Sequence, residues 1–251
     1  MHLLSRFAAA CRFLTILPLP GRLGQDEQAL AGSLPFFPLV GLLVGGVATA
    51  AAWLLWLVFP PLVAGALLTV FLLKVSGGLH LDGLADTVDG FFSARPDRTT
   101  ILAIMRDSRI GAMGVMGLVM VLLLKALSLG SLDRGHAMAA ALLVPLAGRT
   151  AIVLTMAVLP YARQEGGLGT LFYSGRSRWS ALAGLALFAL VAMAILGRRG
   201  IVLLAAVLVM LVIFALFCRT KIGGATGDTL GAACELAETI TALVMSCRIG
   251  S

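Results

Sequence analysis

The chain has 251 residues, of which 60% are hydrophobic and only 12% are charged, and its mean hydropathy is +1.03. A soluble domain carries about 25% charged residues, so this composition excludes a soluble fold, and its apolar content also excludes a disordered chain. Because the apolar residues form unbroken blocks rather than alternating strands, they exclude an outer-membrane barrel and predict an all-α polytopic membrane protein.

The first 20 residues predict an amphipathic helix that lies at the membrane interface. Arg6 and Arg12 interrupt its apolar residues, and no signal-peptidase cleavage site follows. Seven hydrophobic blocks come next and predict a bundle of six to seven transmembrane helices. The last block is much more polar than the others, and no linker divides residues 1–251 into separate domains. In chain order the blocks are residues 34–59, 62–79, 110–132, 137–159, 181–196, 201–218 and 226–247.

The distribution of basic residues predicts which side of the membrane each loop occupies. Lys and Arg number 19 against 12 acidic residues, a net charge of +7. In a membrane protein this excess indicates cytoplasmic loops rather than nucleic-acid binding. An N-terminus in the cytoplasm leaves four basic residues outside (Arg134, Arg198, Arg199 and Arg248), with Lys74, Lys125 and Arg149 at membrane depth. It places twelve inside, namely Arg6, Arg12, Arg22, Arg95, Arg98, Arg106, Arg109, Arg163, Arg176, Arg178, Arg219 and Lys221.

A stripe of carboxylates follows the second block. Asp82, Asp86 and Asp89 lie within LHLDGLADTVDG, and at about 100° per residue they share one narrow helical face. Three like charges on one face repel one another, and a hard divalent cation bound by carboxylate oxygens would offset that repulsion. A solvated acidic loop is the alternative. His80, just before the stripe, is a candidate general base or a hydrogen-bonding residue at a helix start.

Two further polar groups accompany the stripe. Arg106, Asp107 and Arg109 precede the third block, and two arginines beside a carboxylate suit phosphate recognition, although they also suit anchors of a membrane span. Lys221 and the motif GGATGDTLGAACELAETI lead into the last block, and the carboxylates of this motif would sit in a segment otherwise fit to span lipid. These three carboxylates are Asp228, Glu235 and Glu238.

All three groups fall on the cytoplasmic side of the predicted topology, so they are expected to converge on one site. Clustered carboxylates with nearby basic residues predict Mg²⁺ bridging the protein to a phosphorylated substrate, and hence metal-assisted phosphoryl transfer. The candidate catalytic residues are His80, Asp82 and Asp86. The candidate metal ligands are Asp82, Asp86, Asp89, Asp228, Glu235 and Glu238, and the candidate phosphate-binding residues are Arg106, Asp107, Arg109, Lys221 and Thr226. Arg149, in mid-span, either neutralises a carboxylate within the bundle or contacts an anionic substrate group.

The motifs GGLHLDGLADTVDGFF, IMRDSRIGAMG and GGATGDTLGAACELAE resemble the bacterial cobalamin synthase family, the adenosylcobinamide-GDP ribazoletransferases. The FLTILPLP and FPLVG segments near the start are also similar, so the resemblance covers essentially the whole chain. It implies a magnesium-dependent enzyme of the bacterial inner membrane. Such an enzyme would join α-ribazole, or its 5′-phosphate, to adenosylcobinamide-GDP and release GMP.

Two alternatives stay open at this point. A CDP-alcohol phosphotransferase also clusters aspartates around a metal, but here Asp82-Gly83 is followed by Leu84-Ala85-Asp86 rather than by the Ala-Arg of that pattern. A cation transporter would use intramembrane acids as an ion path, with openings to both sides.

Overall fold

The computed structural model describes residues 2–19, 21–94, 97–163, 168–174 and 178–247. Arg95, Arg176 and Arg248, which the predicted topology counts, lie outside these residues. Within them the chain is all-α, apart from one isolated bridge between Tyr161 and Ala225. The helices are α1 His2–Leu14, α2 Glu27–Ala31, α3 Phe37–Val58, α4 Pro61–Val75, α5 Leu79–Phe91, α6 Arg98–Ile104, α7 Ala112–Gly130, α8 Arg134–Val158, α9 Leu168–Ser174, α10 Arg178–Leu196, α11 Arg199–Ile222 and α12 Gly227–Ser246.

The structure confirms an all-α, multi-pass membrane architecture. Within the described ranges, five segments are long and apolar enough to cross a bilayer: α3 with the short turn before it (Leu34–Val58), α7, α8, α10 and α11. The pair α4 and α5 makes a sixth if counted as one broken span. The seventh predicted block forms α12, whose carboxylates keep it from meeting the same criterion.

The chain bends by 93° between α4 and α5. Gly77 and Gly78 make this bend with φ angles of 63° and 77°, a left-handed conformation that side chains with a Cβ rarely adopt. The second hydrophobic block therefore ends at Val75, before the predicted boundary, and the stripe of aspartates lies on a separate helix that turns away from α4.

Helix α8 lies at the centre of the bundle, and glycines bring its neighbours close to it. A Cβ on Gly41 of α3 would lie 2.7 Å from the Pro145 carbonyl oxygen of α8, and Gly45 contacts Leu142 in the same way. On another side, Gly148 of α8 faces Cys234 and Glu238 of α12. The polar helix α12 is thereby enclosed by other helices, which shields its carboxylates from lipid.

Helix α1 packs against the end of the bundle where α4 meets α5. It buries the face that carries Cys11 and Leu14, while Leu3 and Leu4 on the opposite side stay exposed. Just beyond the helix, the Ile16 amide donates to the Val75 carbonyl oxygen at 2.9 Å. Helix α1 is therefore amphipathic, as predicted, and it is attached to the same end of the bundle as α5.

Candidate active site

The site begins at the crossing of α5 and α12, where glycines replace side chains. A Cβ on Gly83 would lie 2.7 Å from the Asp228 carbonyl oxygen, and one on Gly231 would lie 3.1 Å from the His80 carbonyl oxygen. The two helices therefore touch backbone to backbone at the N-terminal end of α12. This contact brings Asp228 close enough to Asp82 and Asp86 for the three carboxylates to repel one another.

Asp82 and Asp86 offer oxygens that the protein does not use. Asp82 is exposed and Asp86 is half-buried. Among the described residues, neither side chain makes a hydrogen bond or an ion pair. Both line a cavity of about 530 Å³ next to Ser108. These two carboxylates are free to bind a cation or a substrate.

Asp89, the third member of the stripe, is already engaged. Its two carboxylate oxygens accept hydrogen bonds of 2.7 Å each from the backbone amides of Gly111 and Gly114. These amides belong to the N-terminus of α7, where unpaired N–H groups and the helix dipole favour a negative charge. Asp89 thus lies in the predicted stripe, but its main contact attaches α5 to α7.

Asp228 forms an ion pair that sequence reasoning missed. The Arg163 guanidinium donates to an Asp228 oxygen at 2.6 Å, and the Thr226 hydroxyl donates to the same oxygen at 3.2 Å. Arg163 is held there by backbone pairing just before it. The Ala162 amide donates to the Ala225 carbonyl oxygen, and the Ala225 amide donates to the Pro160 carbonyl oxygen, both at 2.8 Å. In the sequence Arg163 stood out only as one of many cytoplasmic basic residues.

Three arginines surround a cavity of about 560 Å³ beside this pair: Arg98, Arg106 and Arg163. Arg98 also donates to the Ala162 carbonyl oxygen at 2.7 Å, which fixes α6 against the same segment. Guanidinium groups bind phosphate oxygens through paired hydrogen bonds. The structure thus places Arg106 in a basic cavity together with Arg98 and Arg163, which makes all three candidates for phosphate binding.

The remaining predicted phosphate-binding residues have local partners. Arg109 donates to Asp107 at 2.6 Å in an exposed pair, and these hydrogen bonds lower the pKa of Asp107 to about 2. Lys221 lies over the ring of Phe217, 5.5 Å from its centroid. Thr226 is buried, and its hydroxyl accepts a hydrogen bond from the Thr229 amide as the cap of α12. Its role is therefore to start the helix that carries Asp228.

Glu235 and Glu238 do not join the aspartates. Lys125 of α7 donates to Glu235 at 2.6 Å and to Glu238 at 2.7 Å, and Arg149 of α8 pairs with Glu238. All four side chains are at most 5% exposed. The two cations balance the charge of the two anions, so this buried cluster needs no metal ion to neutralise its carboxylates. Of the two alternatives for Arg149, the structure shows the internal ion pair.

The helix geometry explains this separation. Glu235 lies two turns from Asp228 on α12, about 10 Å along the axis, whereas α5 begins level with Gly231 and runs toward the N-terminal end of α12, away from Glu235. The helical wheel predicts a shared face, but it does not predict where the neighbouring helix crosses. The sequence did contain an indication of this cluster. Lys125 and Arg149 lie at membrane depth, where charges require partners of opposite sign.

His80 is buried at the edge of the site, with 2% of its surface exposed. Neither ring nitrogen has a hydrogen-bond partner within the described part of the chain. The ring lines a cavity of about 190 Å³ together with Asp82 and Asp228. The predicted catalytic residues His80 and Asp82 therefore share one cavity.

The arrangement of the possible metal ligands indicates how the expected magnesium ion would be held. In the described ranges, no three His, Cys, Asp or Glu side chains are arranged to hold a metal by themselves. Mg²⁺ in phosphoryl-transfer enzymes is usually held by one or two carboxylates together with substrate phosphates. Asp82 and Asp86 have unpaired oxygens close to an arginine-lined cavity, and this arrangement fits such an ion.

Comparison with known proteins shows the family of the chain. A family model described as cobalamin-5-phosphate synthase matches residues 6–246. The chain belongs to the cobalamin-5-phosphate synthase family. Curated relatives of this synthase are named adenosylcobinamide-GDP ribazoletransferase. The protein from Klebsiella pneumoniae strain 342 is 42% identical over 97% of this chain and 100% of its own length, and the one from Acetivibrio thermocellus is 39% identical over 95% and 96%.

A third relative with the same name, from Desulforamulus reducens, is 40% identical over 94% of this chain and 93% of its own length. No solved structure matches the synthase. These findings confirm the resemblance seen in the three motifs and show that the chain is a transferase of cobalamin biosynthesis.

Proposed function

We propose that this synthase joins α-ribazole, or its 5′-phosphate, to adenosylcobinamide-GDP and releases GMP, at the cytoplasmic face of the bacterial inner membrane. The names of the relatives support the substrate pair. The observation that carries the proposal is the meeting of unpaired carboxylates with a basic cavity. Asp82 and Asp86 lie beside the Arg163–Asp228 pair, and Arg163 lines the cavity that also contains Arg98 and Arg106.

The reaction requires one phosphorus–oxygen bond to form and one to break. A ribose hydroxyl of the acceptor that is free in both α-ribazole and its 5′-phosphate attacks the phosphorus attached to cobinamide, and the bond from that phosphorus to GMP breaks with its electron pair on GMP. The hydroxyl proton passes to a base at the site. Arg98, Arg106 and Arg163 bind the pyrophosphate and the departing GMP, whose negative charge the guanidinium groups stabilise.

Asp82 and Asp86 would hold Mg²⁺ in this proposal. When bound, the ion would neutralise charge on the pyrophosphate and polarise its phosphorus–oxygen bonds. Asp228 supports the arrangement by pairing with Arg163, which keeps this guanidinium close to Asp86. The candidate proton acceptors are His80 and the carboxylates of Asp82 and Asp86, because these groups line the cavities beside the α5–α12 crossing.

The structure gives no support to a cation transporter. The intramembrane acids that such a protein would use are Glu235, which is paired with Lys125, and Glu238, which is paired with both Lys125 and Arg149. The unpaired carboxylates instead lie at one end of the bundle, next to arginines, as a phosphoryl-transfer site requires.

Turnover by the purified protein in detergent tests the proposal. Adenosylcobinamide-GDP and α-ribazole are supplied together, and GMP release is measured with magnesium and after its removal by a chelator. We expect GMP release that depends on both substrates and on the divalent ion. Absence of GMP release with any divalent cation would overturn the proposed function, whereas release after chelation would overturn only the role given to the metal.

A further inference from the structure

We infer that the cavity beside His80 is the subsite for the aromatic base of the acceptor nucleoside. This inference rests on the proposed function and adds to it where one substrate binds. The cavity has a volume of about 190 Å³ and reaches the candidate active site at Asp82 and Asp228. A group that enters it would therefore have one end next to the carboxylates.

Three phenylalanines from distant parts of the chain line this cavity. Phe172 of α9 lies 4.8 Å from Phe13 of α1 and 5.5 Å from Phe37 of α3, measured between ring centroids. Aromatic rings at such distances stack favourably and present flat apolar surfaces. These walls suit a planar, largely apolar ring system.

His80 supplies the polar contact. It is 2% exposed, and neither ring nitrogen has a partner among the described residues. A neutral imidazole has one donor and one acceptor. Both nitrogens are enclosed by protein, so the His80 ring would turn toward the cavity that it lines in order to bind one nitrogen of a heterocycle or one ribose hydroxyl. A buried polar group without a partner is costly, and a ligand that pairs with His80 removes that cost.

The size and polarity of the cavity select among the substrate groups. Its volume lies below the roughly 300–1,000 Å³ of sites for whole drug-sized ligands, so a corrin ring does not fit. Guanine has several polar groups on its edge, and the phenylalanine walls would leave unpaired those that do not reach His80, Asp82 or Asp228. The benzimidazole base of α-ribazole has few polar atoms and matches both the walls and His80. With the base held there, the ribose lies toward Asp82.

Matched substitutions on α1 test this subsite. Phe13 lines the cavity, whereas Phe7 on the same helix packs on Phe36 at 6.0 Å and does not line it. We expect Phe13→Leu to raise the KM for α-ribazole about 10-fold, since stacking and apolar burial together contribute about 1.4 kcal/mol. The KM for adenosylcobinamide-GDP should stay unchanged, and Phe7→Leu should leave both KM values unchanged. A KM for α-ribazole that is unaffected by Phe13→Leu would overturn the inference.

Direct binding separates this inference from the proposed function. Equilibrium dialysis with α-ribazole is performed on the wild-type protein, Phe13→Leu and His80→Gln, each checked for folding by its size-exclusion profile. Weaker binding by both variants supports the subsite, even if the wild-type protein shows no turnover and the proposed reaction fails. Free 5,6-dimethylbenzimidazole should compete with α-ribazole, and guanosine should not. Equal competition by guanosine, or no binding of α-ribazole to the wild type, would overturn the subsite.

Discussion

The aspartates at the α5–α12 crossing differ in what their oxygens contact. Asp89 accepts two backbone amides of α7, and Asp228 accepts Arg163, whereas Asp82 and Asp86 have no partner within the described residues. A carboxylate that holds two helices together contributes to stability. A carboxylate without a partner contributes repulsion, so its presence is best explained by a ligand. At the scale of single residues, the proposed ligand-binding role therefore falls to Asp82 and Asp86.

Asp82→Asn should abolish turnover while the protein still folds. The change removes a negative charge and, since Asp82 makes no hydrogen bond or ion pair in the described part of the chain, it breaks no internal contact. We expect kcat to fall by about 100-fold or more, the size of effect seen when one electrostatic contact to a transition state is lost. The measurement is GMP release, with melting in detergent as the check on folding.

Asp133→Asn is the matched control for this variant. Asp133 caps the N-terminus of α8 by accepting the Gly135 and His136 amides, and asparagine caps a helix about as well as aspartate. Turnover by this control should equal that of the wild type. Near-normal activity of Asp82→Asn would remove this carboxylate from the mechanism.

Glu238→Gln should lower the stability of the fold and should not act directly on the reaction. Glu238 neutralises both Lys125 and Arg149 in the buried cluster, and its loss would leave a buried positive charge uncompensated. Removing one partner of a buried pair typically costs about 3–5 kcal/mol. We therefore expect a clearly lower melting temperature in detergent.

Glu27→Gln, the same change on exposed α2, should melt like the wild type. A Glu238→Gln protein with normal melting but no magnesium-dependent activity would instead support the metal-ligand role predicted from sequence.

At the scale of helices, close crossings position the site. Gly83 and Gly231 let α5 touch α12, and Gly41 and Gly45 let α3 touch α8, so that the helix bearing Asp228 is enclosed and fixed. The bend at Gly77 and Gly78 separates α5 from α4 and presents its aspartates at the end of the bundle. Small residues at helix contacts permit this close approach in membrane proteins generally.

Neighbouring glycines on α3 allow a controlled test of this packing. A Cβ on Gly45 would meet the Leu142 backbone, with Cα of Leu142 at 3.0 Å, whereas a Cβ on Gly46 meets nothing within 4 Å. Gly45→Ala should therefore destabilise the fold by about 1–3 kcal/mol through overpacking. Gly46→Ala should be neutral or stabilise it by up to about 1 kcal/mol through helix propensity. Melting in detergent measures both, and equal melting temperatures would contradict the α3–α8 contact.

At the scale of the whole molecule, every segment of the candidate site lies at one end of the bundle. The starts of α5, α7 and α12 meet there, together with the segment that follows α8, and their contacts include the Asp89 and Arg163 bonds. The basic cavity lies at the same end. With the basic residues favouring a cytoplasmic N-terminus, this end is predicted to face the cytoplasm, where nucleotide substrates are available.

Cysteine labelling tests this orientation. Cys11, Cys218 and Cys234 are buried, so a Cys247→Ala background should react little with a membrane-impermeant maleimide. In sealed spheroplasts we expect no labelling of Ser108→Cys and strong labelling of Ser131→Cys, because these two exposed serines lie before and after α7. Opening the membrane should make Ser108→Cys reactive. The reverse pattern in sealed spheroplasts would invert the topology.

The sequence by itself determined the all-α membrane architecture and the family. Long apolar blocks leave a helical bundle as the only way to satisfy the backbone in lipid, and the scarce carboxylates fell into motifs that identify the family. Asp82, Asp86 and Asp228 became candidates for the site this way, because their spacing concentrates charge where isolated charge is unfavourable. Only the tertiary structure decided which charges neutralise one another. Lys125 and Arg149 reach Glu235 and Glu238, and Arg163 reaches Asp228, across more than 60 residues of sequence. Such pairings depend on where helices cross, and helical periodicity within one segment contains no information about that.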